Sequence, residues 1–179
     1  MVAACLKAYD RIDVLDNNVG IGSQGGPVDL SEEEWDKVFD VNVKSFFLTA
    51  KHVIPVMEKQ GRGSIVNVSS IASIRNPKGI SYLAYNASKG AVNSLTLAIA
   101  SQYAEKGIRC NAIAPGLVLT EAISRPGLEN FRAGAVAGRF LKQPQTPEDL
   151  AGTLVFLASP DSDFVTGQII VCDGGSAMH

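Results

Sequence analysis

The sequence predicts an α/β domain in three layers, a parallel sheet covered by helices on both faces. Two observations carry this. Short apolar, β-branched runs alternate along the whole chain with longer segments of helical period, the rhythm that a parallel sheet covered on both sides requires. The 179 residues are 46% hydrophobic and 19% charged, enough apolar surface for one packed domain spanning 1–179.

Residues 12–16 read as a short strand running into Asn17-Asn18-Val19-Gly20. A glycine-rich loop follows, and Pro27 prevents a helix from starting earlier. Ser31 and Glu34 make a capping box, after which Trp35, Val38, Phe39, Phe46, Phe47 and Val53 recur at helical spacing until Gly61 and Gly63, which predicts one long helix. Residues 64–70, with Ile65, Val66 and Val68, form the next strand. Residues 85–105 repeat Ala, Leu and Ile with helical period and stop at Gly107, placed to act as a C-cap. A third strand over 109–114 ends at Pro115-Gly116. Residues 120–145 mix Gly, Arg, Phe and Pro without periodicity and read as a mobile cover over a site. Thr146, Pro147 and Asp149 open a helix that runs to about Leu157, and 168–172 is the final strand.

Composition excludes several functions. A net charge of -2 and a pI near 5.7 give no long-range attraction to phosphate backbones or anionic lipid, so neither nucleic acid nor a membrane is an expected partner. Cys5, Cys110 and Cys172 are scattered and odd in number, which predicts unpaired thiols in a reducing, cytoplasmic setting. Only His52 and His179 could supply an imidazole, so neither a Ser-His-Asp hydrolase nor a histidine-rich metal site is expected. Residues 1–9 are too short and too soon interrupted for a signal sequence, and no export is expected.

The sharpest chemical signal is Tyr85-Asn86-Ala87-Ser88-Lys89, which puts a phenol and an ammonium one helical turn apart on one face. A phenol near its reference pKa of about 10 exchanges protons poorly at neutral pH, and an adjacent positive charge lowers that value. Taken alone, the pair reads more readily as two surface residues of an amphipathic helix. Its context includes Ser69-Ser70 at the end of a strand, where parallel-sheet folds place their sites. A hydroxyl there could bond the same oxygen that Tyr85 protonates.

In order along the chain, Asn17-Asn18-Val19-Gly20, Asn42, Ser70, Tyr85, Lys89, Pro115-Gly116 with Thr120, and Asp173-Gly174-Gly175 resemble the short-chain dehydrogenase/reductase family over nearly the whole length. The resemblance implies a Rossmann-like, doubly wound sheet and hydride transfer between NAD or NADP and a small-molecule secondary alcohol or ketone. It implies Tyr85 as general acid/base, Ser70 as the group orienting the substrate oxygen, and Lys89 as the residue that lowers the phenol pKa and bonds the nicotinamide ribose. It further implies Asn42 as the holder of a water in a proton relay behind the lysine. Asn18, Val19 and Gly20 would line the adenosine side, while Pro115, Gly116, Val118 and Thr120 would meet the nicotinamide carboxamide. Family members commonly form homo-oligomers, dimers or tetramers, here through helices 31–60 and 85–105 and strand 168–172. The wording around Asn18, Tyr85 and Asp173 is similar to 3-oxoacyl-carrier-protein reductase-like and cyclic-alcohol dehydrogenase members. Arg125, Arg132, Arg139 and Lys142 of the cover would meet an acidic carrier or acyl phosphate, or be solvated charges.

The sequence also departs from that pattern. The family opens with a strand, a Thr-Gly-rich turn and a helix that grip the pyrophosphate, and this sequence begins after that point. The residue that selects NAD or NADP is absent with it. Gly20-Ile21-Gly22-Ser23-Gln24-Gly25 satisfies the dinucleotide fingerprint as text, but Gly26 and Pro27 separate it from the helix near Ser31, so it is not expected to hold pyrophosphate. Val19 stands where the family usually has Ala, and Asp16 interrupts a strand expected to be buried on both faces. The Ser70 to Tyr85 loop, with Arg75, Asn76, Pro77 and Lys78, is longer than usual. Without the opening units a strand edge and apolar faces should be exposed. A second reading is therefore a catalytically silent relative kept as an interaction module.

Overall fold

The computed structural model describes residues 1–76, 81–121 and 123–178. Pro77 and Lys78 of the loop before Tyr85, and His179, lie outside the described residues. Strands β1 (Val14–Asn17), β2 (Gly63–Val68), β3 (Ile108–Pro115) and β4 (Ile169–Cys172) pair in parallel in the order β1-β2-β3-β4. Asn17 lies opposite Asn67, Asn67 opposite Ala112, and Ala112 opposite Ile169, so the carboxyl ends of the strands come out together on one side of the sheet.

The continuous apolar runs follow from the two-residue strand period, because successive side chains of a strand buried on both faces each need an apolar neighbour. Helices α3 (Ser45–Gln60) and α4 (Leu83–Tyr103) cover one face, where Val53, Met57, Ile99 and Ala100 pack with Leu15, Ile65 and Cys110. Helix α6 (Glu148–Ala158) covers the other, where Leu157 packs on Val66 and Ile113. Burial of the Cys110 thiol pushes its pKa up to about 12. The three-layer, Rossmann-like α/β class is as expected.

A buried polar chain runs through the first of these faces. Asn17 donates to Asn67 Oδ1 at 2.9 Å, Thr49 donates to Asn17 Oδ1 at 2.7 Å, and Asn67 donates to Thr96 Oγ1 at 2.9 Å. A one-residue slip of either strand would leave these groups unpaired in the core, so the chain holds the register of the strands that carry the site.

Several elements differ from expectation for identifiable reasons. The long helix over 31–61 is interrupted: α2 (Glu32–Phe39), capped by the Ser31 hydroxyl accepting from the Glu34 amide at 3.2 Å, passes through a π-helical turn, Asp40–Lys44, before α3. The extra residue of that turn directs Asn42 into the interior. Val2–Tyr9 forms an additional helix, α1, whose Val2, Cys5 and Leu6 pack on the edge of the core without being buried. The presumed irregular cover contains α5 (Glu129–Ala137), which buries no residue and so shows no apolar stripe in the sequence. Asp16 is not a buried carboxylate: Leu15 and Asn17 are buried but Val14 and Asp16 face outward from the edge strand, and partial desolvation raises the Asp16 pKa. Gly107 caps the end of the α4 segment at φ 74, as its position predicts. No helix among the described residues is long and apolar enough to cross a membrane.

Candidate active site

The carboxyl ends of three neighbouring strands supply the site. Strand β1 leads into Asn18-Val19-Gly20, β2 into Ser69-Ser70, and β3 into Gly116-Leu117. Ser69 is buried and donates to the Lys89 carbonyl at 3.2 Å, which ties the strand end to α4. Ser70 opens the short turn Ile71–Ser73, its hydroxyl accepting from the Ala72 amide at 3.1 Å.

Ser70, Tyr85, Gly116 and Leu117 together line a cleft of about 470 Å³, with Phe131 and Ala135 of α5 also in its wall. The Ser70 and Tyr85 side chains share this cleft, with Ser70 near enough to the phenol to act on its titration. Lys89 lies behind this pair, 4% exposed, with Nζ 5.8 Å from the Tyr85 ring centroid and 5.6 Å from that of Phe46. It donates to the Val68 carbonyl at 2.7 Å. Helical spacing alone predicts the Tyr85 and Lys89 neighbourhood.

The electrostatics differ from expectation in direction. Burial raises the Tyr85 pKa above the ordinary 10, with the neighbouring Ser70 hydroxyl opposing it, so the ammonium does not leave this phenol acidic. Burial also pushes Lys89 down, to about 8. Both groups respond chiefly to loss of water, and the lysine spends one N–H on Val68 instead of the phenol oxygen.

Asn42, fully buried, joins the loop after β1 to α4. Its Oδ1 accepts from the Ile21 amide at 2.8 Å, and its Nδ2 donates to the Ile21 carbonyl at 2.9 Å and to Ser88 Oγ at 3.0 Å. Ser88 in turn donates to the Tyr85 carbonyl at 2.7 Å. Asn42→Ala is expected to destabilise the chain by about 2–3 kcal/mol, because it strands both polar groups of Ile21. Urea unfolding checks this, and a change near zero would contradict the brace.

The other expected residues are spread more widely. Asn18, Val19 and Thr120 are exposed, and Pro115 is buried at the end of β3. Val118 bridges to Gln145, and the Leu119 amide donates to the Gln145 carbonyl at 2.8 Å, which closes the base of the 120–144 segment. Sequence reasoning missed Gln145 and the role of Ser88. Gln145 is buried and donates to the Cys172 carbonyl at 2.6 Å, while a side chain on Gly116 would run into its Oε1. Only its place beside a glycine of the third strand end could have drawn attention to it.

Of the cover cations, Arg125 and Lys142 are exposed, whereas Arg132 and Arg139 are not simply solvated. Arg139 is 3% exposed and donates to the carbonyls of Ala135, Gln143 and Leu117. Arg132 donates to those of Ile123 and Arg125.

A parallel three-layer fold with hydroxyl, phenol and lysine gathered at its strand ends is a Rossmann-type architecture with its candidate site where such folds place one. The family model described as Enoyl-(Acyl carrier protein) reductase matches residues 1–177. The chain is 43% identical to a 7alpha-hydroxysteroid dehydrogenase of Clostridium sardiniense, covering 99% of this chain and 68% of that protein. It is 42% identical to a 3-oxoacyl-[acyl-carrier-protein] reductase of Thermotoga maritima, covering 98% and 70%. A Burkholderia xenovorans crystal structure described as a short-chain dehydrogenase/reductase superposes with a TM-score of 0.92 at 37% identity, covering 98% of this chain and 68% of that one. The chain belongs to the short-chain dehydrogenase/reductase family of oxidoreductase enzymes.

Family membership implies a nicotinamide dinucleotide, and the residues fit its nicotinamide ribose half. The Lys89 ammonium has three N–H donors and uses one on Val68. A Cβ on Gly20 would come within 3.4 Å of Lys89 Nζ and 3.6 Å of Asn42 Oδ1, so glycine keeps the space beside the ammonium open. The pyrophosphate is a different matter. The Gly20 to Gly25 loop does not open a helix, and α2, which starts at Glu32, carries Glu32, Glu33 and Glu34 in its first turn, where phosphate would be repelled.

Proposed function

We propose that residues 1–179 act as one catalytic domain that interconverts a secondary alcohol and a ketone with NAD or NADP. The observation carrying this reading is that Ser70 and Tyr85 open into one largely apolar cleft while Lys89 lies against the tyrosine ring. Two similar proteins are named for a hydroxysteroid and a 3-oxoacyl group, an alcohol and a ketone, which supports the same chemistry here.

In this reading the nicotinamide supplies or accepts the hydride when bound. Ser70 donates a hydrogen bond to the substrate oxygen and holds it in front of the phenol. Tyr85 gives its proton to that oxygen during reduction and takes one back during oxidation. With its pKa above the ordinary 10, the phenol is protonated at neutral pH and available to donate. Lys89, charged below about pH 8, stabilises the phenolate left behind and offers its remaining N–H groups to the ribose. A water held near Asn42 would complete the proton path behind Lys89. Pro115, Gly116, Val118 and Thr120 would meet the carboxamide, and Asn18, Val19 and Gly20 would border the adenosine side. Leu117 and Phe131 exclude water from the reacting oxygen.

The exposed apolar residues Phe47, Leu48 and Leu97 on α3 and α4, and Val155 and Phe156 on α6, fit assembly into a homodimer or homotetramer. The free thiols fit residence in the cytoplasm.

Titrating the purified chain with NADH and with NADPH, followed by fluorescence, tests the reading, with a panel of cyclic ketones then added to the complex. The expected result is saturable binding of at least one cofactor and its oxidation on adding ketone. Failure of both to bind at millimolar concentration would favour the silent interaction module.

A further inference from the structure

We propose that the substrate is an anion, an apolar alcohol or ketone bearing a carboxylate or comparable acidic group away from its reacting carbon, and that Arg75 reads this group. The inference rests on the oxidoreductase reading and adds the chemistry of the substrate's other end.

The cleft is chemically lopsided. Its reacting wall carries the Ser70 and Tyr85 hydroxyls, and its body is apolar, with Ile71, Leu117, Phe131 and Ala135 among the lining residues. Two guanidinium groups, Arg75 and Arg139, line it as well, and among the described lining residues there is no Asp or Glu. This occurs in a chain whose net charge is -2, so the positive character is local and does not reflect the protein as a whole.

The two arginines are not equivalent. Arg139 is sealed into the wall, with Nε, Nη1 and Nη2 each donating to a backbone carbonyl. Asp173, buried in the adjoining turn, spends its carboxylate oxygens on the amides of Gly175 and Ala177. Arg75 is exposed, donates from Nη1 to the Ser176 carbonyl, and forms no ion pair among the described residues. The Nε and Nη2 donors of the same guanidinium have no hydrogen-bond partner among the described residues. A planar fork with free donors at the border of an apolar cleft suits a carboxylate better than a neutral group, because it pairs with two oxygens at once. The neighbouring Asn76 and Asn86 are bonded to each other at 3.1 Å and supply no competing charge.

The test is binding, measured by calorimetry on the full chain with NADP and with NAD present, using cyclohexanones bearing ω-carboxyalkyl chains of increasing length, each beside its methyl ester. For the best chain length the acid is expected to bind roughly tenfold or more tightly than its ester, the scale of a charge-assisted hydrogen bond. Arg75→Gln is expected to remove that preference while leaving ester affinity unchanged, and Arg75→Lys to retain part of it. Equal binding of acid and ester at every length, or a preference that survives Arg75→Gln, would overturn the proposal, as would failure of both to bind. Turnover is scored separately, with NADPH and with NADH as hydride donor: a carboxylate preference that depends on Arg75, without ketone reduction by either, would uphold the anion site and sink the oxidoreductase reading.

Discussion

Tyr85→Phe is expected to lower kcat for ketone reduction by roughly a hundredfold to ten-thousandfold, the range that general acid catalysis contributes, while leaving cofactor affinity nearly unchanged. The substitution removes a single oxygen from a side chain whose ring already packs beside Lys89 and lines the cleft, so shape and burial are preserved. What is lost is a proton needed only as the substrate oxygen gains charge, and interactions made only in the transition state lower kcat without a matching rise in KM. Steady-state kinetics with the better cofactor, beside fluorescence titration of both proteins, separates the two quantities. A variant that retains the parent kcat would remove Tyr85 from the mechanism.

The second large effect is expected at Lys89, with opposite consequences for activity and stability. Lys89→Met should lower kcat/KM by on the order of a hundredfold or more, through loss of the charge that supports the phenolate. The same change should stabilise the cofactor-free chain at pH 7, by about 1–3 kcal/mol, since a buried ammonium with no acidic partner among the described residues is replaced by an apolar group of similar length. Burial lowers the lysine pKa from 10.5 to about 8, so between those values the unfolded chain binds more protons than the folded one. Stability therefore rises with pH through that window, and the penalty is fully present below about pH 8. Thermal unfolding at several pH values should show this rise in the parent and not in Lys89→Met. Reductive activity should fall across pH 8 as the ammonium is lost. A destabilised variant at pH 7 would mean that the bond to Val68 outweighs the burial penalty.

Much of the fold was legible because its elements announce themselves by period and punctuation. The Ser31 cap, Gly107 and the apolar run of β2 each follow from one local rule. The π turn was not legible, since Asp40 to Lys44 has the same composition as an ordinary helix, and the partner of its Asn42, Ile21, lies in a distant loop. Helix α5 was hidden because it buries no residue and so carries no stripe. Of the site, the Tyr85, Lys89 and Ser70 grouping could be read from helical spacing and a strand end. The direction of the Tyr85 pKa could not, because desolvation depends on how deeply the cleft walls bury the phenol, a property of the assembled fold. Arg139 likewise reads as a loop charge until the folded wall supplies three carbonyls to it.

Catalysis at this site requires two hydroxyls to reach one substrate oxygen. The infrared carbonyl stretch of an isotope-labelled cyclic ketone, bound with oxidised cofactor, reports those donors without requiring turnover. It is predicted to shift to lower frequency than in water, with part of the shift lost in Ser70→Ala, part in Tyr85→Phe, and all of it in the double variant. A bound ketone whose stretch is the same in all four proteins would contradict the assignment of Ser70 and Tyr85 to the reacting centre.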